Sequence, residues 1–168
     1  MADYYSPTVV TPFIPTADIM PLERLILGMA FDEETDENGR VFFHSSCGPS
    51  EVVAIEVKQL RQAHEASKDL ECGLAAYVAL RLAETKDCEP HDYIELDLSA
   101  AALGWDGMLQ SIVRRSPTLD EIIVTVAFTC SRMQPDGFGG SITRITAKAL
   151  QYGSTTDILA EFRADDSD

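Results

Sequence analysis

Asp120 to Leu150 reads DEIIVTVAFTCSRMQPDGFGGSITRITAKAL, and this stretch decides the fold. Ile122 to Phe128 is an almost unbroken apolar and β-branched run, the composition of a strand covered on both faces. Pro135, Asp136, Gly137, Gly139 and Gly140 then crowd into one turn, a strong reversal signal. From Ser141 to Leu150 polar and apolar residues largely alternate, which predicts a partly exposed partner strand. The expectation is a hairpin whose first strand is central and buried.

Working backward, Tyr93 to Leu98 alternates, with Ile94, Leu96 and Leu98 inward and Glu95 and Asp97 outward. Trp105, Leu109, Ile112 and Val113 mark the buried face of a helix that Ser99 could cap and Arg114-Arg115 close. Strand, helix and the strand Glu121–Cys130 together have the length of a right-handed parallel crossover. Upstream, Pro21 suits the first turn of a helix, and Leu22, Leu25, Ile26 and Met29 give it a stripe. Asn38-Gly39 turns into a strand at Val41–Phe43, and Cys47-Gly-Pro-Ser50 turns into another at Val52–Ile55. Val57, Leu60, Arg61 and His64, then Leu70, Leu74, Tyr77, Val78 and Leu82, have helical spacing. Ser154 caps a last short helix over Thr156–Phe162.

The fold class expected is α+β: a mixed sheet of about five strands, built from two hairpins and one crossover unit, packed with four to five helices. Residues 21–163 form a single domain, and 164–168 read as a disordered acidic tail. Residues 1–20 hold Pro7, Pro12 and Pro15, which argue against both helix and central strand. Tyr4, Tyr5, Val9, Val10, Phe13 and Ile14 make the same stretch too apolar to stay in water. It reads as an extended arm, ordered in a groove of its own domain or across a homodimer.

Twenty-eight acidic residues against 13 basic ones give a net charge of -15. That argues against nucleic acid and anionic membranes as direct ligands, since phosphate binding needs Lys or Arg to displace counterions. No apolar run approaches the length of a membrane helix, and no basic residue precedes Arg24, so no leader is expected. Cys47, Cys72, Cys88 and Cys130 read as free thiols in a reducing, cytoplasmic setting. The charge leaves two readings open, a basic protein partner or plain solubility.

Several constellations could carry chemistry. Asp32, Glu33, Glu34, Asp36 and Glu37 form a dense acidic run. Aligned on Gly39 as a calcium loop, the run puts Ser45 where a bidentate Glu is required, so calcium is not expected. His44-x-x-Cys47 and Cys88-x-x-His91 have the pair spacing of zinc ligands, but neither pair is CxxC and a helical stretch separates them. No cofactor or zinc is expected. Cys130 ends the central strand, where open sheets place ligands, and is the one candidate nucleophile. The turn at Pro135–Gly140 lacks the GK[ST] ending of a phosphate loop. Arg132 and Arg144 flank it and could hold an anion, and Phe138 sits at its tip. Loops on rigid scaffolds often carry binding function, so this tip is the best candidate contact site.

Ser116–Gly140 (SPTLDEIIVTVAFTCSRMQPDGFGG), Thr8–Leu25 (TVVTPFIPTADIMPLERL) and Gly48-Pro49-Ser50 resemble a group of short acidic bacterial proteins found on plasmids and other mobile elements. The resemblance implies a context of accessory or anti-defence roles and brings no catalytic residue, cofactor or fold. Two classes of function therefore stand. One is a non-catalytic acidic protein that docks a basic protein surface, with a mimic of nucleic-acid charge as a special case. The other is a small enzyme using Cys130 or a metal held by His44, Cys47, Cys88 and His91.

Overall fold

The computed structural model describes residues 3–69, 73–85, 92–99, 104–134 and 137–165. The N-terminal prolines punctuate one extended line into three short strands, β1 (Tyr4–Tyr5), β2 (Thr8–Thr11) and β3 (Ile14–Pro15). α1 (Pro21–Ala30) follows, with Pro21 in its first turn. β4 (Asp32–Thr35) and β5 (Arg40–Ser45) make a tight hairpin, then β6 (Val52–Glu56) runs straight into α2 (Val57–Ala66). After α3 (Gly73–Glu84) come β7 (Tyr93–Asp97) and α4 (Trp105–Arg115). β8 (Glu121–Cys130), β9 (Gly139–Thr146), β10 (Leu150–Ser154) and α5 (Thr155–Asp165) complete the described chain.

The class is α+β, as expected, but the sheet is larger and differently connected. Eight strands form the main sheet, in the order β10-β9-β8-β2-β5-β3, with β1 on β8 and β4 on β5. Because β1, β2 and β3 are successive pieces of one line, the eight strands fill six positions: β10, β9, β8, that line, β5 and β4. The N-terminal stretch is thus a central strand between β8 and β5, not an arm lying in a groove. Pro7 and Pro12 flank Thr8–Thr11 without interrupting it, which leaves its amides free to pair.

The expected crossover is absent. β7 pairs with β6 in a separate two-stranded sheet, and every described pairing is antiparallel. The reason is visible in β7 itself. A parallel crossover strand is covered on both faces, whereas Glu95 and Asp97 alternate outward and require one face in water. Helix α4 therefore bridges two sheets. Ser99 does not cap it; Gly104 occupies that position. The Ser99 N–H instead donates to Asp97 Oδ1 at 2.9 Å, and its hydroxyl and amide hold that carboxyl below the ordinary aspartate range.

The main sheet is covered on one face only. Thr8, Val10, Ile14, Val41, Phe43, Ile122, Val124 and Ile145 point into the core with Leu22, Ile26 and Leu27 of α1 and Leu109 and Ile112 of α4. Phe31 ties the layers, its ring edge-on to Trp105 at 5.9 Å and tilted against Phe43 at 6.1 Å. On the other face Val9, Thr125, Ala127 and Ile142 are exposed. β8 is central, as expected, but not buried on both sides. The stripe of α1 is likewise rotated: Leu22, Glu23, Ile26, Leu27 and Ala30 are buried, while Met29 is exposed.

Glu23 is fully buried and organises a polar knot at the start of α1. Its Oε2 accepts from the Met20 N–H at 3.0 Å and from Arg115 Nη2 at 2.5 Å. Ser67 Oγ, also buried, accepts the Leu22 N–H at 2.9 Å. Ser116 donates to Asp18 Oδ2 at 2.6 Å. Free amides at a helix start need acceptors, and here Glu23 of α1 itself takes that of Met20 and Ser67, just past α2, takes that of Leu22.

Candidate binding surface

The acidic run folds as β4 and the turn into β5, and most of its carboxylates already have partners. Asp36 is the turn's keystone: its Oδ1 accepts the N–H groups of Asn38 and Arg40, each at 2.9 Å, and its Oδ2 meets Arg40 Nη2 at 2.7 Å. The Arg40 amide first, and the guanidinium with it, hold this carboxyl below its ordinary range. Gly39 follows at φ 70°, the left-handed conformation that glycine adopts without strain. Glu33 pairs with Arg24 at 2.9 Å, and Glu34 Oε1 lies 3.4 Å from His44 Nε2. Asp32 and Glu37 are exposed.

The rings at this end are also mutually satisfied. Phe13 stacks on Phe42 at 5.1 Å, Phe42 on His44 at 5.2 Å, and the Arg40 guanidinium sits 5.7 Å from the Phe13 ring centre. His44 belongs to this column on the open face, and Cys47 is exposed beyond the strand. Cys88 and His91, the other half of the alternative Cys/His metal set, lie outside the described residues, as does Cys72. Among the described residues no three His, Cys, Asp or Glu side chains gather as a metal site.

Cys130 is 9% exposed and points to the covered face of β8, opposite in register to Tyr4. A side chain on Gly137 would come within 2.8 Å of its Cβ. His44 stands on the other face of the sheet, so the nucleophile and this candidate base are not brought together.

The anion pair is not assembled either. Arg144 bonds Glu121 Oε2 at 2.6 Å and Gln151 Oε1 at 3.0 Å. It pairs in register with Ile123, whereas the turn opens beyond Phe128 and Gly139. Five residues of strand, roughly 16 Å at the usual rise, separate it from that turn. Arg132 is exposed near the turn, and Pro135 and Asp136 lie outside the described residues.

The described glycines of the turn serve close packing. A Cβ at Gly139 would meet Thr155 Oγ1 at 2.8 Å, and one at Gly140 would meet the Val126 carbonyl oxygen at 2.8 Å. Their lack of side chains lets α5 and β8 close on the turn and leaves a cleft of about 400 Å³ beside it. Five rings line the cleft: Tyr4, Tyr5, Phe128, Phe138 and Tyr152. Ser6, Thr129, Ser154, Thr155 and Thr156 supply hydroxyls. Among the described residues no charged side chain lines it. Tyr4 is oriented by its hydroxyl, which donates to Gln134 Oε1 at 2.9 Å. Among the described residues no ring contact joins Tyr5, Phe128, Phe138 and Tyr152 to one another. Of the expected contact residues Arg132, Phe138 and Arg144, Phe138 is the one that lines this cleft among the described residues.

α5 begins at the cleft. Ser154 caps it as expected: Asp157 Oδ2 accepts the Ser154 N–H at 2.8 Å and its hydroxyl at 2.7 Å, and Ser154 Oγ accepts the Asp157 N–H at 3.3 Å. These bonds hold the Asp157 carboxyl below its ordinary range. Beyond this cap, every side chain from Thr155 to Ala164 is exposed. Ile158, Leu159 and Phe162 are 49%, 46% and 63% exposed. The spacing of Ile158, Leu159 and Phe162 is a visible apolar stripe. Nothing in the sequence says that the stripe stays uncovered. No family model matches the chain, and no curated protein or solved structure is significantly similar to it.

Proposed function

We propose that this chain is a non-catalytic binding protein that docks a basic surface on a protein partner, using the end of the sheet formed by β8, β9, β10 and α5. The observation that carries this is α5. A helix of 11 residues is marginal in water without packing of an apolar face, yet Ile158, Leu159 and Phe162 meet solvent. Helices with such a face commonly lie in a partner's groove.

The charge supports a basic partner. Acids outnumber bases 28 to 13, and Arg24, Arg40, Arg81, Arg115 and Arg144 are already in ion pairs. The remaining field is negative and would speed encounter with a cationic surface at low salt. The mobile-element resemblance favours nucleic-acid-binding proteins among such partners, because their phosphate sites are basic. For direct mimicry of a phosphate backbone, carboxylates two apart on a strand have about the right spacing, ~7 Å. Asp32 and Glu34, like Glu95 and Asp97, supply only one such step each, so docking of a basic surface is the better supported form.

The test is titration with a lysine-rich amphipathic helical peptide and its glutamate counterpart across a salt series. The basic peptide should bind, more weakly as salt rises. Leu159→Ser with Phe162→Ser should weaken it about tenfold, ~1.4 kcal/mol, at every salt concentration. Equal binding of the glutamate peptide, or none of either, would overturn the reading.

A further inference from the structure

The cleft at the start of α5 has a chemistry of its own. An anion finds no cationic side chain there, since no Lys, Arg or His among the described residues lines the walls. The positive end of the α5 dipole, the usual anion site, is already occupied by the carboxylate of Asp157. The Ser154 and Thr155 hydroxyls already bond Asp157 and the Gly140 N–H, but a purely apolar guest would leave those of Ser6 and Thr156 facing hydrocarbon, and unpaired polar groups are costly once dry. A cation meets neither objection. Aromatic faces attract it through their quadrupoles, and hydroxyl oxygens accept from its N–H groups.

We propose that this cleft receives one cationic side chain, a guanidinium or ammonium projecting from the basic partner, held between the rings of Phe128, Phe138 and Tyr152 and hydrogen-bonded to the hydroxyls of Ser6 and Thr156. This rests on the docking function proposed above and names the anchor within it. About 400 Å³ is at the small end of ligand sites. It suits a side chain with its stem and not an extended segment. The stacked column at Phe13 and Phe42 lacks this capacity, because its faces are filled by one another and by Arg40. A cleft where Phe128, Phe138 and Tyr152 make no ring contact among the described residues, in a chain with net charge -15, is where a cation gains both terms.

The probe is Nα-acetyl-arginine amide, followed through the aromatic resonances of the full chain. Nα-acetyl-citrulline amide is the neutral isostere, a neutral oligosaccharide tests hydroxyl-rich guests, and inorganic phosphate tests anions. Arginine amide should shift the Tyr152 and Phe138 resonances saturably, and the other three should not. Tyr152→Leu keeps apolar volume without a ring and should weaken binding roughly two- to fivefold, while Tyr152→Trp should bind at least as well as the natural chain. Tyr93→Leu, on β7 and away from the cleft, should change nothing. Equal binding of citrulline amide, preference for the saccharide, or binding unaffected by Tyr152→Leu in a normally folded protein would overturn the proposal.

Two outcomes separate this proposal from the docking function. If the lysine-rich peptide binds with salt dependence but the cleft resonances stay still, the anchor is wrong and docking stands. If arginine amide fills the cleft while the peptide does not bind, docking fails, and with it the assignment of the guest to a partner.

Discussion

The two ends of the main sheet carry their conspicuous residues in opposite states. At the β4–β5 end, a run of five carboxylates looks like an exposed negative patch, yet Glu33, Glu34 and Asp36 lie against Arg24, His44 and Arg40. Its rings stack as well. At the β8–β10 end, Phe128, Phe138 and Tyr152 line a cleft and make no ring contact among the described residues, and α5 holds Ile158, Leu159 and Phe162 in water. A surface binds through groups whose interactions are unfinished, and a density of charged letters does not reveal which those are. The acidic hairpin is largely complete within its own chain. The aromatic end is not.

The largest effect expected comes from a carboxylate at neither end, Glu23 of α1, which calibrates the comparison. Arg115→Met leaves this fully buried group without its ion-pair partner and should cost about 3–5 kcal/mol, read by urea denaturation. A loss below about 1 kcal/mol would mean that a buried carboxylate here is no more committed than one on the surface. The contrast between satisfied and unsatisfied groups would then lose its reference point.

A smaller effect should separate residues within the acidic run itself. Asp36→Ala removes the acceptor for two turn amides and for Arg40, so it should lower the melting temperature. Glu37→Ala should not. The depressed carboxyl of Asp36 fixes the sign of the pH dependence. Its stabilising contribution is present in full above the ordinary value of 3.8 and is lost as pH falls through the lower folded value. The gap between the natural chain and Asp36→Ala should therefore narrow below pH 3.8. A gap that widens on acidification would show that Asp36 acts through something other than its ionised form.

The smallest effect belongs to Asp32 and Glu37, the acids of the run in no ion pair among the described residues. Asp32→Asn with Glu37→Gln should change stability by less than about 0.5 kcal/mol. It should make the salt dependence of basic-peptide binding only slightly shallower. A collapse of binding in this double variant would move the contact surface to the acidic end and reverse the comparison.

Much of the local structure was legible because it depends on short-range chemistry. Pro21 opening α1, the Asn38-Gly39 turn, the end of α4 at Arg115 and the Ser154 cap all follow from residues within a few positions of each other. Composition and alternation were enough for the α+β class. The acidity, too, belongs to the sequence alone.

What touches what was decided only in three dimensions, since pairing partners lie far apart in the chain. Thr8–Thr11 became a central strand because β8 and β5 each offered it an edge, and no local pattern encodes that offer. Glu23 sits one position off the stripe read from α1, and its burial depends on Arg115, 92 residues away. The Pro-x-Glu start of α1 was the one local hint, because a Glu at that position can reach back to the helix's first free amide. The aromatic cleft draws Tyr4 and Tyr5 from one end of the chain and Tyr152 and Thr155 from the other. A residue type states what interaction a side chain can make; only the tertiary structure decides whether that interaction is already satisfied.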